Sequence, residues 1–172
     1  LASLEGRRHI KQADIERAML LAGETPGARL KSALARGATP GGTLLVVEGT
    51  HHLVGGGSGS DNRLSTSLGG WSAASNIALN NAFGHGEQLY ASLNATPELW
   101  RTVESDAPLR SFGLGAVIPL GVDGWTLNLE YARTRSRPEP SLGAPHTIGS
   151  FDRLALRSSY PLVKSRAETI SL

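Results

Sequence analysis

Trp125-Thr126-Leu127-Asn128-Leu129-Glu130-Tyr131-Ala132 places an apolar or aromatic side chain at every second position and a polar or small one between them. Successive side chains of a strand point to opposite sides, so this stretch predicts a strand with one apolar and one polar face. The pattern repeats outward along the chain. Phe112, Leu114, Ala116, Ile118 and Leu120 alternate with small residues, and Leu89, Ala91 and Leu93 alternate with Tyr90, Ser92 and Asn94. Further upstream, Trp71, Ala73, Ser75, Ile77 and Leu79 share one face, with Ser72, Ala74, Asn76 and Asn80 on the other. From His51 onward the chain therefore reads as a succession of amphipathic strands broken by turn residues.

A soluble β-sandwich also alternates, so the connections and the chemistry of the two faces decide the class. Residues 80–86, 121–124 and 163–165 are short connections, whereas 96–108 and 138–150 are long, polar and proline-bearing. Short turns at one end and long loops at the other are the habit of outer-membrane barrels. Stretches 71–79 and 109–120 are close to the ~9–11 residues that cross a bilayer at a tilt. Aromatics fall near strand ends: Phe83, Trp125 and Tyr160 beside short connections, Trp71, Tyr131 and Phe151 beside long ones, as two interfacial girdles require. Asn128, Glu130, Arg153 and Arg157 lie within strands on the polar side and are expected to face a lumen. The expected fold is mainly β: a partial transmembrane antiparallel barrel over residues 51–172.

Bulk composition bounds the function. The chain has 172 residues and 40% hydrophobic content, enough for one ordinary domain. Its 17 basic and 15 acidic residues are well mixed, giving a net charge of +2 and no footprint for nucleic acid. Absence of cysteine rules out disulfides and thiolate metal sites and is compatible with export. The chain opens on Leu1 and stops at Leu172 in mid-alternation, so it is expected to be an internal piece. Residues 1–10 carry Glu5, Arg7, Arg8 and His9 and form no apolar leader core. Apolar runs are only a few residues long, so any membrane contact is expected through strands.

Residues 1–50 read differently. Ile15, Ala18, Met19 and Ala22 recur at the spacing of one helical face, with Asp14, Glu16 and Arg17 off it. Gly23 is the expected C-cap and Pro26 bars continuation. Strands are expected at 28–35 and 43–48.

Several of these stretches resemble a known family. Ile15-Glu16-Arg17-Ala18-Met19-Leu20-Leu21-Ala22-Gly23-Glu24-Thr25-Pro26-Gly27 and Gly41-Gly42-Thr43-Leu44-Leu45-Val46-Val47 are similar to the helix and closing strand of the second periplasmic POTRA domain in ShlB/FhaC/HecB-type transporters of two-partner secretion. Ser60-Asp61-Asn62-Arg63 resembles the start of that family's barrel. Leu79-Asn80-Asn81-Ala82-Phe83-Gly84-His85-Gly86-Glu87-Gln88-Leu89 and Ile118-Pro119-Leu120-Gly121-Val122-Asp123-Gly124-Trp125 resemble its turns. The motifs stand in the family's order over nearly the whole chain. Departures occur at Leu64, where the family has Gly, and at Leu68-Gly69, where it has Thr-Gly; its gating-loop motif has no counterpart.

The resemblance implies that residues 1–50 are the C-terminal part of a POTRA domain and that 51–172 supply about 6–7 of about 16 barrel strands. It implies an outer-membrane pore that exports one large unfolded exoprotein without nucleotide. Its partners would be that exoprotein, outer-membrane lipid and lipopolysaccharide, with no nucleic acid and no cofactor. Capture by strand addition would use the stretches holding Leu30, Leu34, Leu44 and Val46. An outer-membrane insertase of the same superfamily and a small structural or ligand-binding barrel are the alternatives.

Other motifs read as structural. The Gly55–Gly59 run lacks the Gly-Lys-Ser/Thr of a phosphate loop and is expected to be a joint or a thin first strand. His51 and His52 are adjacent, so they point to opposite faces and make no metal pair. Asp61 and Asn62 are turn material. No Ser/His/Asp or paired-carboxylate constellation stands out, so no catalytic residue is expected. Arg133, Arg135 and Arg137 lead into a loop, where they would meet solvent or lipopolysaccharide phosphates. Glu130, Arg153 and Arg157 either line a translocation path or stiffen the wall.

Overall fold

The structure is a computed structural model and describes residues 10–38, 41–96, 107–140 and 145–172. Helix α1 (Gln12–Gly23) opens with Asp14 in its first turn, where a carboxylate complements the helix dipole. Asp14 Oδ2 accepts the Lys11 N–H at 3.1 Å, while the Lys11 ammonium has no acceptor with which to return the bond. Gly23 is not the cap: it is the last helical residue, and Glu24 follows in right-handed geometry. Pro26 ends the helix by removing a donor, and Gly27, at φ 76°, makes the left-handed turn that leads into the next strand.

Strands β1 (Ala28–Arg36) and β2 (Thr43–His51) form an antiparallel hairpin, with Ala28 opposite His51 and Arg36 opposite Thr43. The second strand runs past the expected residue 48 because its pairing with β1 continues to the end of that strand. His52 N–H donates to Gly27 O at 2.9 Å, closing the hairpin where it meets the helix connection.

Next come β3 (Val54–Asp61), β4 (Ser72–Asn80), β5 (Gln88–Ala95), β6 (Leu109–Leu120), β7 (Trp125–Ser136) and β8 (Gly149–Ser159). They form one six-stranded sheet in chain order, every neighbouring pair antiparallel. The glycine run is therefore a strand, paired from Val54 with Leu79 to Asp61 with Ser72. A last hairpin joins β9 (Pro161–Lys164) to β10 (Thr169–Ser171), so its turn spans 165–168 rather than the expected 163–165.

Strand directions put residues 81–87, 121–124 and 165–168 at one end of the strands, together with the α1 and β1–β2 segment. Residues 62–71 and the C-terminal ends of β5 and β7 lie at the other. The long connections expected at 96–108 and 138–150 fall partly outside the described residues. Tight turning at the first end is visible in Gly121 and Gly124, at φ 78° and 90°, which bracket the β6–β7 connection.

Register sorts the sheet into two faces. One carries Val54, Ile77, Leu79, Leu89, Ala91, Leu93, Phe112, Leu114, Ile118, Trp125, Leu127, Leu129, Tyr131, Leu154 and Leu156; the other carries Asn76, Asn80, Gln88, Tyr90, Ser92, Asn128, Glu130, Arg153 and Arg157. Phe151 departs from the expected girdle: it pairs with Thr134 and lies on the polar face, opposite in sense to Tyr131.

Burial is unusual for a sheet of this size. Among the described residues the buried apolar side chains are Ala73, Ala95 and Ala107 alone. Leu114 and Leu129, on interior strands, remain 53% and 47% exposed, so among the described residues no second layer packs on the apolar face. A soluble sandwich would have hidden those leucines in its core.

Candidate functional site

The polar face is organised around Glu130. Gly115 is directly opposite both Tyr90 on β5 and Glu130 on β7, so Tyr90, Gly115 and Glu130 form one row across three strands. With no side chain on Gly115, the Tyr90 ring lies over that backbone, and a Cβ there would fall within the ring. The Tyr90 hydroxyl thereby reaches across β6 and donates toward Glu130 Oε2 at 3.3 Å and Asn128 Oδ1 at 3.2 Å.

On the far side of Glu130 the residue opposite is Ala155, again small. Arg153 and Arg157 flank Ala155 on β8 and reach Glu130 diagonally. Arg153 Nη2 pairs with Oε1, and Arg157 Nη1 pairs with Oε2 at 3.1 Å. The Glu130 side chain is only 17% exposed, against 47% and 50% for the arginines, so the cations shield the carboxylate and present their own outer surfaces. All four residues expected from sequence on this side, Asn128, Glu130, Arg153 and Arg157, thus belong to one hydrogen-bonded group. Tyr90 and Gly115 complete it and were missed. A glycine inside an otherwise regular strand was the available signal, since such positions commonly admit a close approach.

Around this cluster, Asn80 Nδ2 donates to His52 O at 3.0 Å and Gln88 Nε2 to Asn80 Oδ1 at 2.8 Å, carrying the polar network toward the β4–β5 connection. That connection is built on Glu87. Its carboxylate accepts the Phe83 and His85 N–H groups at 2.5 and 3.0 Å, while Asn81 Oδ1 accepts the Gly86 N–H at 2.7 Å. The Phe83 bond above all, partly opposed by desolvation, holds the Glu87 carboxyl below its ordinary pKa.

Asp61 sits at the end of β3, where its Oδ1 accepts the Arg63 N–H and the Ser72 hydroxyl, each at 3.1 Å; Asn62 follows it in the connection to β4. The hairpin separates the four expected edge residues. Leu30 and Leu34 are on one face with Leu45 and Val47, while Leu44 and Val46 are on the other with Ala33 and Ala35. Leu34, Leu44 and Val46 are exposed, and Leu30 is half-buried. They do not form a single patch, and what they share is the hairpin that carries them.

Chemically, the cluster offers fixed charge and hydrogen bonds with no group of three or more metal-ligating side chains among the described residues. No helix is long and apolar enough to cross a membrane, which says nothing about strands. No family model and no curated protein matches the chain.

Proposed function

We propose that this chain forms part of an outer-membrane β-barrel transporter of the two-partner secretion type, with residues 51–172 supplying barrel wall and 1–50 a portion of a periplasmic POTRA domain. The observation that carries the reading is the pairing of two unlike faces on one sheet. Leucines on interior strands are uncovered on one side, and a charged, hydrogen-bonded group centred on Glu130 occupies the other. In water that arrangement wastes apolar surface, whereas in a barrel wall it places leucines against lipid and charges toward a wet lumen. The sequence motifs from Ile15 to Trp125 supply the family in this proposal.

On this reading Arg153 and Arg157 line the path of an unfolded exoprotein, and Glu130 and Tyr90 hold them in place. The exoprotein would be captured by adding a strand beside β1 or β2, and no nucleotide or cofactor would be needed. The test is made in the full coding region that carries this chain. Leu129→Arg puts a charge on the apolar face of an interior strand, at a cost of ~2–4 kcal/mol near the bilayer midplane. The expected result is loss of the protein from the outer-membrane fraction and loss of ion conductance in planar bilayers. A wild-type protein that stays soluble and forms no channel overturns the proposal. Secretion of a co-expressed exoprotein separates a secretion pore from an insertase.

A further inference from the structure

Leu21 is out of place on α1. At about 100° per residue the apolar stripe of Ile15, Ala18, Met19 and Ala22 occupies one side of the helix. Arg17, Leu21 and Glu24 follow at i, i+4 and i+7 down the far side and onto the cap. A leucine on that side would ordinarily meet water. Here it meets the β6–β7 connection: a Cβ placed on Gly124 would lie 2.5 Å from Leu21 Cδ2 and 2.8 Å from Pro161 Cγ. Gly124 and Pro161 thus make a socket that exists because residue 124 has no side chain.

Polar members of the same side close around that socket. Arg17 Nη2 donates to Asp123 O and Pro161 O, which stand just before β7 and just after β8. Glu24 takes the Lys164 ammonium, and Glu16, next to Arg17, accepts the Arg166 N–H. One helix therefore engages both the β6–β7 and the β9–β10 connections, by carbonyl, ionic and apolar contacts together.

A second attachment lies two strands away. Residues 12–51 join the sheet through His52 and Leu53, whose carbonyls accept Asn80 Nδ2 at 3.0 Å and the Asn80 N–H at 2.7 Å. Gly27 comes so close here that a Cβ on it would strike the His52 carbonyl and Asn80 Cβ. Alone, that joint is a pivot about which α1, β1 and β2 could swing as one body. The socket at Gly124 is separated from it by β5 and β6, and two attachments so spaced remove the swing.

We propose that α1 is a strut that locks the β1–β2 hairpin in one orientation against the sheet, with Leu21 in the Gly124–Pro161 socket and Arg17 across the ends of β7 and β8. The strut goes beyond the transport reading and does not depend on it. Its consequence is mechanical. β7 and β8 are the strands that carry Glu130, Arg153 and Arg157, so a pull that turns the hairpin reaches the strands of the polar cluster through Leu21 and Arg17. A partner strand added to the hairpin would exert such a pull.

The experiment uses the complete gene product in a cysteine-free background, with nitroxides at Ser32→Cys on β1 and Ser58→Cys on β3, both exposed. Pulsed electron double resonance reads the distance distribution between them, and hydrogen exchange of the β1–β2 amides reports whether the hairpin stays folded. A single narrow distance is expected without further substitution. It should be lost to a broad distribution in R17Q/L21A with the hairpin amides still protected, and kept in Q12A, which is exposed at the helix start and off the socket side. A broad distribution before any strut substitution overturns the strut, as does a narrow one in R17Q/L21A with the hairpin protected. Where the double variant unfolds the hairpin, R17Q alone decides by the same criterion. Membrane insertion and secretion test the transport reading separately.

Discussion

Tyr90 lies across Gly115 and delivers its hydroxyl to Glu130 on the strand beyond, so a residue of β5 is tied to β7 over the bare backbone of β6. Three strands are thereby pinned in register at one row. A single-residue slip in either hairpin would turn Tyr90 or Glu130 to the other face.

This geometry predicts a specific pattern of compensation. Gly115→Ala inserts a methyl where the ring lies and should destabilise by ~1–3 kcal/mol, the usual cost of overpacking. Tyr90→Phe keeps the ring but loses the hydroxyl bonds to Asn128 and Glu130 and should cost ~0.5–1.5 kcal/mol. In Tyr90→Ala the space over Gly115 opens, so adding Gly115→Ala to it should cost much less than in the wild type. Urea unfolding of the four proteins forms the cycle; additive costs would show that the ring does not rest on Gly115.

Charge at the centre of the polar face gives a second prediction. Glu130→Gln leaves Arg153 and Arg157 without their carboxylate, so the polar face becomes net more positive. In the proposed pore, reversal potentials across a salt gradient should shift toward anion preference, while Arg157→Ala should shift them the other way and slow secretion. Unchanged secretion and unchanged single-channel conductance in Arg157→Ala would leave the cluster a wall-stiffening network and remove it from the translocation path.

Much of this was legible in the sequence because strand parity is a local property. The faces of residues 71–79, 89–94, 112–120 and 125–132 follow from alternation alone, and the sheet reproduces them. Parity also placed Phe151 with Arg153 and Arg157, so the girdle expected of Phe151 conflicted with the lumen expected of those arginines. The structure resolves this in favour of parity. Register is not local. Tyr90 and Glu130 are 40 residues apart, and their meeting depends on the offsets of two successive hairpins, which no periodicity encodes. The split of Leu30 and Leu34 from Leu44 and Val46 has the same origin, since hairpin pairing, not composition, sets which faces coincide.

Acid should loosen the β4–β5 connection. Glu87 has a folded-state pKa below the ordinary ~4.3 because its carboxylate accepts the Phe83 N–H and, more weakly, that of His85. For a depressed carboxyl the stabilisation is fully present above the unfolded pKa and disappears as pH falls through the lower folded value. Hydrogen-exchange protection of the Phe83 and His85 amides should therefore hold at neutral pH and collapse only below about pH 4.3. In Glu87→Gln protection should be low throughout. Collapse of wild-type protection well above that pH would contradict the assignment.

Arg17 provides the last prediction, because it joins the helix to the short-turn end of the sheet. Its Nη2 donates to Pro161 O at 3.0 Å and to Asp123 O at 3.4 Å, so one guanidinium spans the β6–β7 connection and the start of β9. Two further contacts lie beside it: Glu16 Oε1 accepts the Arg166 N–H at 2.6 Å, and Lys164 pairs with Glu24. A charged donor shared between carbonyls contributes more than a neutral bond, about 1.5–3 kcal/mol, whereas the Lys164–Glu24 pair, whose carboxylate is open to solvent, is worth about 1 kcal/mol or less. Arg17→Ala should thus release the helix while Lys164→Ala barely does. The chain has no cysteine, so Glu16→Cys with Arg166→Cys gives a clean reporter pair. Disulfide formation between them should be rapid in the otherwise wild-type protein, slowed about tenfold or more by Arg17→Ala, and little changed by Lys164→Ala. Equal rates in all three would mean that the helix is held by its connection to β1 and not by Arg17.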